Sequence, residues 1–262
     1  MGVLNLTPDS FSDGGRFLER GAALEHARRM AAEGADILDL GAESTRPGAQ
    51  PVAPDEQWRR LEPVIAALAA EGHCLSVDTA NATVAIRALA AGASIVNDVS
   101  ALGDPAMAKV VAEGGAGLVL MHMRGTPATM QKNPEYRDVV LEVREALRGS
   151  LAVARSAGVP EECLVCDPGL GFGKTREHNL ELIARFGEFR ELRRPLMVGA
   201  SRKSFLGLVS GTPVDQRLAA GLAAHTLAVR EGASVVRTHD VAETVQAMAV
   251  ALAIRDAGRA RA

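Results

Sequence analysis

Cysteine, aromatic residues, net charge and long apolar runs are all scarce in this sequence. Three cysteines, Cys74, Cys163 and Cys166, are too few for a disulfide framework and fit a reducing compartment. Cys163 and Cys166 form a C-x-x-C, but residues three apart on a strand face opposite ways, so the pair reads as core rather than as zinc ligands. Aromatics make up 3% of the chain, which argues against base stacking along a nucleic-acid strand and leaves an aliphatic core. A formal charge of −3 over 262 residues gives no general attraction to nucleic acid or to an anionic membrane, so any anion must be held by a local basic cluster. No apolar run reaches the length of a bilayer-spanning helix, and the amino end lacks the basic, apolar, small-residue order of a leader. The expected compartment is the cytoplasm, with neither nucleic acid nor membrane as partner.

What is present is alternation. Short runs rich in Val, Ile and Leu are predicted as strands at 2–4, 36–40, 74–77, 94–96, 117–121, 164–166, 195–198 and 234–236. Between them lie segments with apolar residues every three or four positions, at 22–33, 55–70, 83–91, 106–112, 136–157, 177–186, 214–230 and 241–257. Gly34, Gly92, Gly115 and Gly232 stand just past helical patterns, where a left-handed cap favours glycine. No linker or shift of composition divides the chain. The expectation is one α/β domain over residues 1–262, a parallel (β/α)8 TIM barrel, with an open doubly wound sheet as the alternative. Apolar outer faces on the last two helices predict a homodimer.

Each apolar run is followed by a group able to bind something: Asn5, Asp39, Asp78, Asn97, His122, Asp167, Lys203, and Arg237 with His239. In a barrel these side chains converge at the C-terminal rim, where the active sites of this fold lie. Singly, each has a plainer explanation as a turn former, a cap or an ion pair. Asp39 and His122 are assigned such structural duties and left out of the catalytic set. The segment Asp167-Pro-Gly-Leu-Gly-Phe-Gly-Lys-Thr175 superficially suggests a phosphate-binding P-loop, but proline occupies the position where the first glycine is required. It reads instead as a carboxylate before a glycine-rich loop that lets a flat ligand approach, with Phe172 exposed to touch it. Carboxylates, an amide and an ammonium at one rim match the amidine-like edge and ring carbonyl of a pterin. Arg237 and His239, with Asn5 across the barrel closure, suit a diphosphate and a magnesium ion, Mg2+, which prefers oxygen ligands and few protein contacts. The turn Ser201-Arg-Lys-Ser204 precedes another helix and could direct backbone N–H groups at an anion. The polar loops after the first two strands carry Phe11, Asp13, Thr45, Arg46 and Pro47 and read as a mobile lid.

Gly2 to Gly15, Glu43-Ser-Thr-Arg-Pro-Gly48, Ser76-Val-Asp-Thr79, Asn97-Asp98, Asp167 to Lys174, Ser201-Arg-Lys-Ser204 and Arg237-Thr-His-Asp240, in that order, resemble the dihydropteroate synthase family of pterin-binding enzymes. The resemblance covers essentially the whole chain. It implies a transferase of folate biosynthesis that joins p-aminobenzoate to 6-hydroxymethyl-7,8-dihydropterin diphosphate and releases pyrophosphate. It also implies binding of sulfonamides. By resemblance, Asp78, Asn97, Asp167 and Lys203 bind the pterin. Asn5, Arg237 and His239 hold the diphosphate, with Asn5 reaching magnesium. Phe172, Lys203 and Ser204 border p-aminobenzoate, and Asp13, Thr45 and Arg46 close over the reacting centre. The implied order is diphosphate departure, then amine attack. Two departures stand out: Met1 falls inside the first strand, where the family has a preceding lead-in, and Ala42 replaces a common second glycine. A pterin-binding methyltransferase and a non-catalytic pterin-binding paralogue are the alternatives. The first leaves the two loops and Arg237 with His239 without a task, and turnover separates the second.

Overall fold

The strands are short, two to five residues each, because the aliphatic runs that form them are soon followed by a polar residue or a glycine. In a computed structural model, which describes residues 1–7, 16–46 and 48–259, they are β1 Gly2–Asn5, β2 Leu38–Gly41, β3 Leu75–Asp78, β4 Ile95–Asp98, β5 Gly117–Met121, β6 Leu164–Asp167, β7 Met197–Val198 and β8 Val235–Val236. The helices between them are α1 Arg16–Ala32, α2 Pro54–Ala70, α3 Ala82–Ala90, α4 Met107–Gly114, α5 Val139–Ser156, α6 Arg176–Ala184, α7 Ser204–Ser210, α8 Leu218–Arg230 and α9 Val241–Arg259. Strands β1 to β6 pair in chain order, all parallel, and β7 pairs with β8. Single parallel bridges, Cys166 to Leu196 and Gly2 to Thr238, join these two sheets at both seams. The Val3 N–H donates to the Thr238 carbonyl at 2.9 Å and the Thr238 N–H to that of Met1 at 3.0 Å. The sheet is thus a closed (β/α)8 barrel.

Side chains of the strands are buried on both faces, as a parallel barrel inside a ring of helices requires. Leu4, Leu40, Val77, Val96, Leu118 and Val198 belong to one aliphatic core with the inner faces of the helices, and Phe186 and Phe189 pack together within it at 5.9 Å between ring centroids. The four glycines past the helices take positive φ, from 59° at Gly115 to 115° at Gly232.

Three helices differ clearly from the pattern reading, the first being α1, which begins at Arg16 rather than at 22. Helix α5 begins at Val139 rather than at 136, because the Asp138 side chain accepts the Leu141 N–H and caps the first turn. The expected helix at 214–230 is broken: Val214–Gln216 is a 3-10 turn and α8 starts at Leu218. Between the two, the Arg217 Nε turns back to the Thr212 carbonyl at 3.2 Å. Helix α7 is an additional short element after the Ser201–Ser204 turn.

Candidate active site

Register alone brings part of the site together. Asn5 lies opposite Gly41, Gly41 opposite Asp78, and Asp78 opposite Asn97, so the last residues of β1 to β3 and the third of β4 form one row at the C-terminal end of the barrel. Glycine at 41 leaves that row open: a Cβ there would touch Asp78 Oδ2 at 3.7 Å and Asn5 Oδ1 at 3.8 Å, so the two oxygens approach one point. Asp167 ends β6 opposite Met121.

Arg237 enters this row just after β8. Its Nε donates to Asp39 Oδ2 at 2.7 Å and one Nη to Asp78 Oδ2 at 2.7 Å, which links three strands across the barrel. Asp39, fully buried, also accepts from Asn97 Nδ2 at 3.1 Å. Asp39, which the sequence reading leaves out of the catalytic set, has two of that reading's candidate site residues, Arg237 and Asn97, as its partners. The Asp39 Oδ1 and Asn97 Oδ1 atoms are buried without a hydrogen-bond partner among the described residues. Burial raises the pKa of Asp78, opposed by Arg237, and burial likewise raises that of Asp167, opposed by a backbone bond from Gly169.

Lys203 faces these carboxylates without a salt bridge to either among the described residues. Its ammonium sits over the Phe172 ring, 3.9 Å from the centroid. Burial first, then the charge of Arg237, lowers its pKa to about 8. Phe172 differs from expectation: it is buried, in a small cluster with Val99, Met121 and Met130. The glycine-rich loop folds back instead of projecting. Gly169, Gly171 and Gly173 all take positive φ, and a Cβ at Gly173 would lie 2.5 Å from the Arg124 carbonyl oxygen. Lys174, read in the sequence as part of a failed P-loop, pins the fold-back from inside. Its buried ammonium donates to the carbonyls of Gly169 and Phe172 at 2.9 Å each and reaches His122 Nδ1 at 3.0 Å.

His239 lies beside the turn after β7. Its backbone N–H donates to Ser201 Oγ at 3.2 Å and its Nδ1 is 3.0 Å from the same oxygen. The Ser201 hydroxyl also donates to Asp240 Oδ2 at 3.5 Å, and the tautomer of His239 sets which way its own contact with Ser201 Oγ runs. Burial, reinforced by Arg237, pushes the His239 pKa down to about 3. Ser204 opens α7 and is exposed. Asp240 pairs with Arg202 at 2.5 Å.

The loop after β2 is tied at its base by Glu43, which accepts from the Val52 N–H at 3.1 Å and from Gln57 Nε2 at 2.9 Å. Thr45 is half-buried and Arg46 exposed on it. Asp13, Phe11 and Pro47 lie outside the described residues. Cys166 is buried, its thiol pushed up to about 12, and among the described residues no three His, Cys, Asp or Glu side chains are grouped to hold a metal. The structure therefore brings Asn5, Asp78, Asn97, Asp167, Lys203, Arg237 and His239 to one mouth of the barrel.

A closed barrel with such a rim is the architecture of the pterin binding enzymes, and the model of that family matches residues 1–239. The chain belongs to this family, and within it to the dihydropteroate synthases, transferases that form a C–N bond in folate biosynthesis. It is 48% identical over 266 residues to the dihydropteroate synthase of Mycobacterium leprae, covering 98% of this chain and 94% of that one. A probable bifunctional folylpolyglutamate synthase/dihydropteroate synthase of Haloferax volcanii is also 48% identical, covering 99% of this chain but 31% of that longer protein. The crystal structure of the Yersinia pestis dihydropteroate synthase with a sulfonamide drug complex superposes with a TM-score of 0.93 at 42% identity, covering 98% of this chain and 94% of the other.

Proposed function

We propose that the rim divides one substrate between two sides and receives the second from above. Asp78, Asn97, Asp167 and Lys203 hold the pterin of the dihydropterin diphosphate. Asp167 Oδ1 is occupied by the Gly169 N–H at 2.7 Å, so its other oxygen is the one offered to ring N–H groups. The unpartnered Asn97 Oδ1 is a second acceptor of the same kind. Lys203 donates to a ring carbonyl or nitrogen. On the other side, Arg237 keeps Nη1 for the diphosphate, since its other nitrogens serve Asp39 and Asp78. His239 adds the Nε2 edge of its ring.

Magnesium fits this donor set with Asn5 as its protein oxygen, the rest of its shell coming from substrate and water. Bound there, the ion would neutralise charge on the diphosphate. p-Aminobenzoate lies against Lys203 and Ser204, with Phe172 acting from beneath by seating Lys203. Asp13, Thr45 and Arg46 close over the reacting carbon. The C–O bond to diphosphate breaks first, and the aniline nitrogen then attacks the pterin methylene cation, losing a proton as the C–N bond forms. An aniline is a neutral nucleophile at pH 7, so the site has to stabilise charge more than it has to supply a base. A reducing cytoplasm and a homodimer complete the proposal. The dimer is supported by exposed Leu227 on α8 and Val250 and Ile254 on the adjacent α9. No helix among the described residues is long and apolar enough to cross a membrane.

The observation that carries the reading is the uncommitted ammonium of Lys203 among buried carboxylates on a closed rim. Pyrophosphate release, measured with and without p-aminobenzoate and magnesium, tests it. Release that depends on both is expected. Binding of pterin diphosphate with no amine-dependent turnover would reduce the protein to a pterin-binding module.

A further inference from the structure

The turn that presents Lys203 is anchored from behind by a residue outside the substrate cluster. His225, on α8, is 1% exposed, and its Nε2 accepts the Ala200 N–H at 3.0 Å. Strand β7 ends at Val198, so this N–H lies beyond the sheet ladder and would otherwise have no partner in the sheet. Two groups of the proposed site, Lys203 and His239, depend on the same turn, and a third residue of the turn is strained. The Lys203 N–H donates to the Ala200 carbonyl at 3.2 Å. Ser201 Oγ holds His239 through both its backbone N–H and Nδ1. Arg202 sits at φ +59°, a left-handed conformation that a β-carbon disfavours and that neighbouring contacts must maintain.

His225 is a poor choice as mere core filling. Its neighbours on the inner face of α8 are small or aliphatic: Gly221, Ala224, Ala228 and Val229. Accepting at Nε2 places the ring proton on Nδ1, and that atom is buried with no partner among the described residues. An unpaired buried donor destabilises the fold, so the imidazole is explained by what its other nitrogen holds. A water-sized space of about 10 Å³ lined by His225, Ser201, Thr238 and Asp240 lies beside the turn. Burial keeps the ring neutral, with its pKa lowered to about 4, as an acceptor needs.

We infer that His225 is a positioning residue for the transfer reaction: by holding the Ala200 N–H it sets the turn that delivers Lys203 to the pterin and His239, through Ser201, to the diphosphate. The inference rests on the assignment of Lys203 and His239 to the substrate site.

Steady-state kinetics on His225→Leu and His225→Gln test it. Leucine approximates the volume without an acceptor, whereas the glutamine Oε1 can take the same N–H. His225→Leu is expected to raise KM for the pterin diphosphate roughly tenfold, the scale set by one unpaired buried N–H, with a smaller change in kcat. Amide exchange at residues 200–203 should speed up, and His225→Gln should recover most of the KM. A leucine variant that melts earlier but keeps the wild-type KM and wild-type exchange at Ala200 would overturn the inference, leaving His225 a structural residue. Should the leucine variant not fold, nitrogen NMR of the wild-type imidazole decides: protonation at Nδ1 supports the contact and protonation at Nε2 sinks it. Lys203→Ala in the same assay separates the two levels. Loss of pterin binding there with no effect at His225 rejects this inference alone, whereas unchanged binding in Lys203→Ala rejects the site assignment beneath it.

Discussion

Replacing Asp39 with asparagine keeps the shape of the side chain and removes the charge that Arg237 and Asn97 lean on. Asp39 is 0% exposed and Arg237 18%, so solvent screens the pair little. Breaking one partner of such a buried ion pair costs about 3–5 kcal/mol. At about 2–4 °C per kcal/mol for a chain of this size, the melting point should fall by roughly 6–20 °C. Arg237→Met should be at least as damaging, because it leaves Asp39 and Asp78 facing each other with no cation between them. In the double variant the guanidinium and the Asp39 charge are both gone, and of the three side chains only the Asp78 carboxyl is left. Its loss should therefore fall short of the sum of the single losses by about 2 kcal/mol, the upper part of the range for residues in one network. Urea unfolding of the three variants and the wild type at pH 7.5 measures this coupling directly. Additivity to within about 0.5 kcal/mol would mean that the two side chains do not engage in solution, and the account of Asp39 as the anchor of Arg237 would fail.

Lys203 sets a pH limit. kcat/KM for the pterin diphosphate reports the free enzyme, so it should fall as pH rises through about 8, where the buried ammonium loses its proton, and Lys203→Arg should remove that fall. Stability runs the other way. The unfolded lysine keeps its proton to higher pH, so from about 8 up to the ordinary lysine range this group's contribution to stability grows with pH; a flat kcat/KM profile from pH 7 to 10 would contradict the assignment. For the dimer, sedimentation at micromolar concentration should show two copies in the wild type and one in Ile254→Glu. A wild-type monomer would remove the second copy from the proposal.

The strands were legible to within a residue or two because a parallel barrel demands aliphatic runs, and the polar residue closing most of them marks the rim. The connections among those polar residues were not legible. Asp39 reads as a lone carboxylate in Leu-Asp-Leu, and the guanidinium that explains it lies 198 residues away. The glycine-rich loop reads as exposed because glycines and a phenylalanine near a turn suggest a projecting loop. Three positive-φ glycines instead wind it back onto the barrel, and the interior bonds of Lys174 hold it there. That leaves Phe172 buried under the Lys203 ammonium instead of exposed on a projecting loop. His225 had no sequence signal beyond being a histidine on an apolar helix face, where a satisfied core residue is the ordinary reading.

These connections also bear on how the site can be both buried and charged. Asp39, Asp78 and Asp167 outnumber Arg237 and Lys203, and burial acts against the charged forms of Asp78, Asp167 and Lys203, raising the pKa of the two carboxyls and lowering that of the lysine. In the proposed scheme a pterin bringing N–H donors to Asp167 favours its ionised form, and a diphosphate beside His239 favours the protonated imidazole, so each half of the substrate strengthens the charge that the other half needs. If the diphosphate leaves first, the carboxylates then face a pterin cation with Arg237 still held in place by Asp39, and no side chain has to move to meet the new charge. Preorganisation of that kind is where a buried arginine fixed between two carboxylates outperforms a mobile one, and it is why Asp39, which touches no substrate in this scheme, belongs to the chemistry.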